Sequence, residues 1–244
     1  MRGFKGDLHI HTCLSPCADL EMSPLKIIKR AVEKGLEIIA ICDHNSAKNT
    51  PYAFNLSKKF PIVVLPGIEV NSVEEVHILS IFDTPEQALL LQKYVYEGIT
   101  EKNNEELFGI QAVVNEFDEV EEIEDKLLIS ACGMSVDEIV RKTHSLGGIA
   151  IASHIDREAY SIIGKLGFIP PDLPLDGVEI SKIGSIEMVP KGWTAISSSD
   201  AHSLDEIGEV WTAFYAESPD IKGIQKAIKN GTVKIYGRNF PSHP

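Results

Sequence analysis

The sequence predicts an α/β fold, with one large domain built around a barrel of parallel strands. Short apolar runs alternate with helical patterns over most of the chain, which implies parallel pairing of the strands. About seven or more such runs occur within 244 residues, and this number favours a closed barrel over an open sheet. Hydrophobic residues make up 43% of the chain, which suits a single well-developed core.

The first part of the chain supplies four predicted strands and two predicted helices. The strands cover residues 4–10, 38–42, 62–70 and 76–82. Between the first two, residues 23–35 are predicted to form a helix, with Ser23 as its N-cap, Pro24 in its first turn and Gly35 as its stop. A polar helix is expected over part of 50–59.

The second part repeats the alternation after an interruption. Strands are predicted at 148–154, 177–181, 194–200 and 210–216, and helices at 135–147 and 220–230. The segment 84–128 is different, because it is acidic and its second half has no clear period. We interpret it as a helical insertion or flap over one end of the barrel, or alternatively as a solvated pair of acidic helices.

Composition narrows the class of protein. No run of about 18 apolar residues occurs and the first residues lack the apolar stretch of a signal peptide, so we expect a cytoplasmic protein that does not span a membrane. The four cysteines show no paired framework, which favours reduced thiols. A formal charge of −13 disfavours duplex nucleic acid as a partner, but it leaves room for a small phosphorylated ligand held by metal ions.

Six of the eight histidines fall at the ends of predicted strands, together with two carboxylates. Strand ends of a parallel barrel converge on one face, where active sites are built. Imidazole and carboxylate suit zinc, manganese or iron, and their number exceeds the need of one ion, so we expect two or three divalent metal ions. The residues are His9, His11, His44, Glu69, His77, His154, Asp200 and His202; His144 and His243 lie elsewhere.

The spacing of the first pair has a simple explanation. Alternate residues of a strand share a face, so His9 and His11 both point toward the barrel axis while Ile10 packs outward.

The motifs GDLHIHT, CDHN, PGIEV, ASH and SSDAH occur in the order found in the PHP (polymerase and histidinol phosphatase) family, and the chain resembles that family over nearly its whole length. The resemblance implies a distorted (β/α)7 TIM-like barrel of the PHP type over 1–244, with an insertion at 84–128 and a trinuclear metal centre. It further implies that His9, His11, Glu69 and Asp200 bind one metal, with Glu69 as a bridge. His44, His77 and His154 then serve the other sites, and His202 returns to the cluster.

One departure from the family pattern lies just after the first two histidines. The family has an acidic or histidine ligand there, whereas this chain has SPCAD at 15–19. Asp19 is the replacement candidate and Cys17 the second, since a thiolate binds zinc well. Their alternatives are a loop-capping aspartate and a buried thiol. Asp7, Asp43 and Asp156 are expected to orient the imidazoles.

The implied activity is metal-dependent hydrolysis of a phosphoester by a metal-bridging hydroxide, with Glu69, Asp200 and His202 as catalytic residues. Arg157 is the first candidate for binding the substrate phosphate and Lys182 the second; the alternative for Arg157 is a surface ion pair. The expected substrate is a small phosphorylated metabolite, a nucleotide or an oligonucleotide end. Two alternatives remain open, a metal-dependent amidohydrolase and a non-catalytic PHP module with structural metals.

Overall fold

A computed structural model describes residues 1–237 and 240, which form two sheets and the surrounding helices. His243 lies outside the described residues. The strands are β1 (Arg2–Ile10), β2 (Ile38–Ile41), β3 (Val63–Asn71), β4 (His77–Ile81), β5 (Ala112–Val114), β6 (Val120–Ile123), β7 (Ile149–Ala152), β8 (Gly177–Ile180), β9 (Ala195–Ser197), β10 (Val210–Ala216) and β11 (Val233–Gly237). The helices are α1 (Pro24–Glu33), α2 (Thr50–Ser57), α3 (Pro85–Gly98), α4 (Glu105–Phe108), α5 (Val136–Ser145), α6 (Ile162–Leu166) and α7 (Ile221–Lys229).

The large sheet has nine strands in the order β11-β10-β1-β2-β3-β4-β7-β8-β9, and it curls into a nearly closed barrel. The barrel closes where β9, one end of the sheet, packs beside β10 and the other end strand, β11. There the Thr212 hydroxyl donates to the carbonyl of Ser197 at 2.8 Å and accepts from its amide at 3.0 Å. The predicted barrel-type α/β fold is therefore confirmed.

The barrel is filled rather than hollow. Alternate residues of the strands meet inside it in one buried cluster, as in barrels of parallel strands generally. Helix α7 closes the end from which the parallel strands start, since Ile228 lies against Gly177, the first residue of β8. The opposite end is left for polar side chains. The buried interior residues include Leu8, Ile38, Leu65, Leu79, Ile151 and Ile196.

Strand direction differs from the expectation of parallel pairing at two places. Strands β1, β2 and β3 are parallel, as are β7, β8 and β9, but β4 runs antiparallel to both β3 and β7. The connection between β3 and β4 is a tight turn, in which the amide of Ser72 donates to the carbonyl of Val76. A turn this short has no room for a crossover helix, so β4 must reverse. Strand β10 is likewise antiparallel to β1.

The segment 84–128 is only partly helical. Helix α3 buries Ala88, Leu91 and Val95 in a second apolar cluster, which also contains Ile68 of β3 and Ile78 of β4. It is therefore not a solvated helix. The second half forms the antiparallel hairpin β5–β6 in place of the expected helix. Strand β5 is buried and β6 is exposed, which accounts for the acidic, irregular sequence of this half.

The described part of the chain contains no helix that combines the length and the apolar character needed to cross a membrane.

Candidate metal centre

All the predicted ligands except Asp19 meet at the end of the barrel where the parallel strands finish. His9 and His11 arrive from the end of β1, Glu69 from β3, and His154 from the residue pair after β7. His77 reaches the same edge because β4 is antiparallel, which places its first residue opposite Asn71 near the end of β3.

Glu69 is the centre of the cluster. Its carboxylate is almost fully buried, and burial by itself would raise its pKa. The surrounding imidazoles, above all His77 and His9, instead hold the pKa of Glu69 well below its usual range. A carboxylate shared by so many imidazoles has the position of a bridging ligand. Its oxygens lie 2.9–3.5 Å from ring nitrogens of His9, His11, His44, His77 and His154.

Asp200 approaches the cluster from the other side. Its Oδ1 lies 3.2 Å from His11 Nε2 and 3.4 Å from His9 Nε2. Burial opposes its ionised form, but the charge of His9 and the hydrogen bond from His11 hold the pKa of Asp200 well below its ordinary value. Its second oxygen, Oδ2, accepts from Arg157 Nη2 at 2.7 Å.

The donor atoms fit divalent metal ions. Three groups of donors have ligand atoms within 4.8 Å of one another, and neighbouring groups share a residue. Within the part of the chain that the structure describes, Glu179 Oε1 and His154 Nδ1 are buried without a hydrogen-bond partner. Imidazole and carboxylate donors at this spacing suit zinc, manganese or iron. The groups are His9, His11 and Glu69; His44, Glu69 and His77; and His11, His44 and His202.

Backbone strain is concentrated at the same place. Asn45, His154 and Asp200 have φ angles of 51°, 28° and 50°, in the left-handed region that non-glycine residues rarely adopt. Each of the three is a cluster residue or the immediate neighbour of one. Strain of this kind persists where the surrounding structure over-determines it, as at functional sites.

Glu179 is a site residue that the sequence reasoning missed. Its Oε2 accepts from His9 Nδ1 at 3.0 Å and from the amide of His154 at 3.3 Å. A hydrogen bond at Nδ1 leaves the Nε2 atom of His9 for a metal. The signal that could have identified it is an acidic residue inside the short apolar strand GVEI.

The three aspartates expected to orient imidazoles behave differently from one another. Asp43 acts through Ser15, whose hydroxyl donates to Asp43 at 2.7 Å and lies 2.9 Å from His11 Nδ1. Asp7 instead accepts from the amides of Ser199 and Gly208, and Asp156 accepts from Ser181. These two therefore position backbone rather than imidazoles.

Cys17 and Asp19, the two candidates for the early ligand position, are both exposed and differ in what lies near them. Asp19 is exposed, and its amide donates to the carbonyl of His202 at 2.8 Å. The Cys17 thiol lies near the imidazoles of His202 and His44. Desolvation raises the pKa of this thiol, but the two imidazoles lower it to about 6.

The two predicted phosphate-binding residues are placed differently. Arg157 lies at the rim of a cavity of about 230 Å³ above the cluster, with 41% of its side chain exposed. Burial works against its charged form, but the Asp200 carboxylate raises the pKa of Arg157. Lys182 instead pairs at 2.6 Å with Glu206, which also accepts from the amide of His202. The cavity is lined by His44, Glu69, His77, His154, Arg157, Ala159, Tyr160, Asp200 and His202.

Two family models match the chain, and both cover parts of this site. The model described as the PHP domain matches residues 7–108, and the model described as PHP-associated matches 191–233. An uncharacterized protein of Methanocaldococcus jannaschii is 30% identical over 185 residues, which are 72% of this chain and 80% of that protein. A 5′-3′ exoribonuclease of Haemophilus influenzae is 32% identical over 94 residues, 36% of this chain and 33% of the relative.

The fold also matches solved structures. Endonuclease Q from Pyrococcus furiosus has a TM-score of 0.72 at 20% identity, and the match covers 96% of this chain and 57% of that one. This chain thus spans little more than half of that enzyme. Another endonuclease Q structure, with a TM-score of 0.70, contains a 27-mer duplex substrate with an abasic lesion at the active site.

This duplex complex corrects the expectation that duplex nucleic acid is disfavoured as a partner. The expectation was wrong because net charge averages over the whole surface, whereas a phosphate backbone meets the local field at the site. Endonuclease Q, which contains a fold of this kind, binds a duplex substrate at its active site. The family models and the relative that is 30% identical over most of its length show that the chain belongs to the PHP family, and it is a hydrolase that acts on phosphoesters.

Proposed function

We propose that this protein hydrolyses a phosphoester bond in a nucleotide or a nucleic-acid strand, with divalent metal ions held by the candidate metal centre. The observation that carries the proposal is the buried carboxylate of Glu69, shared by five imidazoles at the bottom of a cavity whose rim carries Arg157. The nuclease names among the relatives support a nucleic-acid or nucleotide substrate over an unrelated metabolite.

The proposed ligands divide among the sites by proximity. Glu69 would be shared between the ions, and His44 and His202, which form one donor group with His11, would hold the outer ion. Cys17, whose thiol lies near these two imidazoles, would join them there rather than Asp19. Divalent ions held there supply Lewis acidity toward a phosphoryl oxygen and toward the attacking water. Glu69, Asp200 and His202 act in catalysis by holding these ions. The full set is His9, His11, Cys17, His44, Glu69, His77, His154, Asp200 and His202.

The remaining side chains orient the donors and the substrate. Glu179 and Ser15 hold the Nδ1 atoms of His9 and His11, so both Nε2 atoms face the carboxylates. Arg157 carries five N–H donors, and its bond to Asp200 fixes the guanidinium while other donors can bind a phosphoryl oxygen. Arg157 therefore orients the phosphate above the cluster.

The size of the cavity sets what enters it. A volume of about 230 Å³ is below the roughly 300–1,000 Å³ of pockets that enclose a whole small ligand. The phosphoryl group and its immediate substituents fit inside, and the rest of the substrate lies across the rim. Such a site admits the end of a strand, an internal phosphodiester or a mononucleotide.

The test is hydrolysis of defined phosphoesters by protein loaded with Mn²⁺ or Zn²⁺. The substrates are nucleoside monophosphates, single-stranded and duplex oligonucleotides, and a sugar phosphate that lacks a base. Asp200→Asn is expected to lower the rate by at least about a hundredfold, because it weakens the hold on the ions. Asp205→Asn, at an exposed position five residues along, is the control and keeps the rate.

Two results would contradict the proposal. Turnover of the sugar phosphate without turnover of any nucleotide or oligonucleotide would point to a metabolite phosphatase. Cleavage of no phosphoester with either metal, together with a loss of thermal stability in His9→Ala, would favour structural metals.

A further inference from the structure

Tyr160 stands at the rim of the cavity on the loop that also carries Arg157. Its ring stacks on His77, with 4.6 Å between the ring centroids and an angle of 21° between the planes. The residue is nevertheless 43% exposed, and it lines the cavity together with Ala159. An aromatic ring thus lines the same cavity as Arg157, the candidate phosphate-binding residue.

The backbone holds this ring in a fixed and strained position. Tyr160 has a φ of 58°, in a region that bulky side chains rarely adopt. Its carbonyl accepts from the amide of His77 at 2.9 Å, and the next residue, Ser161, donates to the carbonyl of Arg157 and caps α6. The loop is therefore tied both to β4 and to α6. Such over-determined strain at a cavity rim points to a function for the ring.

We propose that the Tyr160 ring stacks on the nucleobase of the nucleotide whose phosphate lies between Arg157 and the metal centre. This inference rests on the proposed function. One ring face is taken by His77, and the exposed part is available for a flat partner. Every base has a π-face, so stacking of this kind tolerates any sequence. Lys165 Nζ lies 5.7 Å from the ring centroid, but it pairs with Glu75, so the proposed contact with the base is made by the ring.

A purely structural role is the competing explanation. The ring could serve only to hold His77, in which case its removal would weaken turnover of every substrate alike. A base-stacking role instead predicts a loss confined to substrates that carry a base at the right position.

The test compares two single-stranded oligonucleotides that differ only in whether the nucleotide next to the cleaved bond carries a base. Tyr160→Ala is expected to lower kcat/KM about tenfold to a hundredfold on the base-containing strand, and to leave the abasic strand unaffected. Tyr160→Phe keeps the ring, so we expect its kcat/KM on both strands to equal that of the unaltered protein. Tyr94→Ala is the matched control, because Tyr94 is also 43% exposed with a lysine over its ring but lines a different cavity.

A binding measurement separates this inference from the proposed function. Metal-loaded protein is titrated with an oligonucleotide that carries 2-aminopurine at the same position, and stacking on Tyr160 quenches its fluorescence. Quenching lost in Tyr160→Ala and kept in Tyr160→Phe and Tyr94→Ala supports the inference even if no bond is cleaved. Equal loss of kcat/KM on both strands, or quenching that Tyr160→Ala does not change, would overturn it.

Discussion

At the scale of single residues, the site is organised by carboxylates that each serve several imidazoles. Glu69 contacts rings from five positions, and Asp200 contacts His9 and His11 while also fixing Arg157. His9 in turn contacts both of these carboxylates and Glu179. A change at one residue therefore shifts several donors at once, so we expect the effects of substitutions in this cluster to be non-additive.

Substitutions at Cys17 and at Asp19 are expected to have opposite effects on metal binding. Because the thiol lies near His44 and His202, Cys17→Ser is expected to remove one ion from the stoichiometry measured by mass spectrometry. In cobalt-substituted protein the same change should abolish the near-ultraviolet thiolate-to-metal absorption. Asp19→Asn is expected to leave both readouts unchanged. Loss of an ion in Asp19→Asn alone would reverse the assignment.

A substitution at Glu179 tests how much a residue that orients His9 contributes to metal affinity. Glu179→Gln weakens the charge-assisted bond to His9 Nδ1, and we expect metal affinity to fall about 10- to 100-fold. Competition with a fluorescent chelator measures the change. Glu187→Gln, at an exposed position in the turn after β8, is the control. Equal affinities of Glu179→Gln and the unaltered protein would remove Glu179 from the site.

At the scale of elements, the reversed strand and the insertion complete the site. The antiparallel β4 adds His77 to an edge otherwise built from the ends of parallel strands. The hairpin β5–β6 lies over the loop that follows β1, where the amide of Ala112 donates to the carbonyl of Cys13 at 3.0 Å. We propose that residues 1–244 form a single barrel domain in which 84–128 is an insertion that supports this loop.

Asn49 is the link between the insertion and the loop. Its side-chain amide donates to Thr12 and to the carbonyl of Ala112, and its oxygen accepts from the amide of Val114. Asn49→Ala leaves these buried groups without partners, so we expect the free energy of unfolding in urea to fall by about 2 kcal/mol. Asn55→Ala, at an exposed position on α2, should change it by less than about 0.5 kcal/mol. Similar values for the two variants would exclude a structural link through Asn49.

At the scale of the whole molecule, the metal centre joins segments that are far apart in the chain. His9 and Asp200 are separated by 191 positions, and their side-chain atoms are 3.4 Å apart. Ions that bind such groups in the folded state only must stabilise the complete barrel. The formal charge of −13 repels a phosphate backbone from most of the surface. Binding of such a backbone therefore depends on positive charge at the site itself.

Removal of metal provides the prediction at this scale. Binding at about a hundred times the dissociation constant contributes about 2.7 kcal/mol, so chelation is expected to lower Tm by roughly 5–10 °C. Differential scanning calorimetry with and without chelator measures the shift, and addition of excess Mn²⁺ or Zn²⁺ should reverse it. An unchanged Tm would show that the ions do not couple the strands.

The sequence by itself determined the barrel class, the core strands and the convergence of the histidines. These follow from local rules, since alternate residues of a strand share a face and parallel strands end at one edge. His9 and His11 illustrate the first rule and His154 the second. The expectation of a helix in the acidic second half of the insertion is wrong, since this part forms the hairpin β5–β6. An exposed hairpin strand such as β6 carries no strong periodic pattern that would identify it.

Only the tertiary structure decided the direction of β4, the contacts of Glu179, the position of Cys17 near His44 and His202, and the place of Tyr160 at the rim. Each of these depends on contacts between residues far apart in the chain; His9 and Glu179, for example, are separated by 170 positions. Local sequence patterns report which face of an element is buried. They carry no information on which distant side chain completes a hydrogen bond or a metal site, because that partner is selected by the packing of the whole barrel.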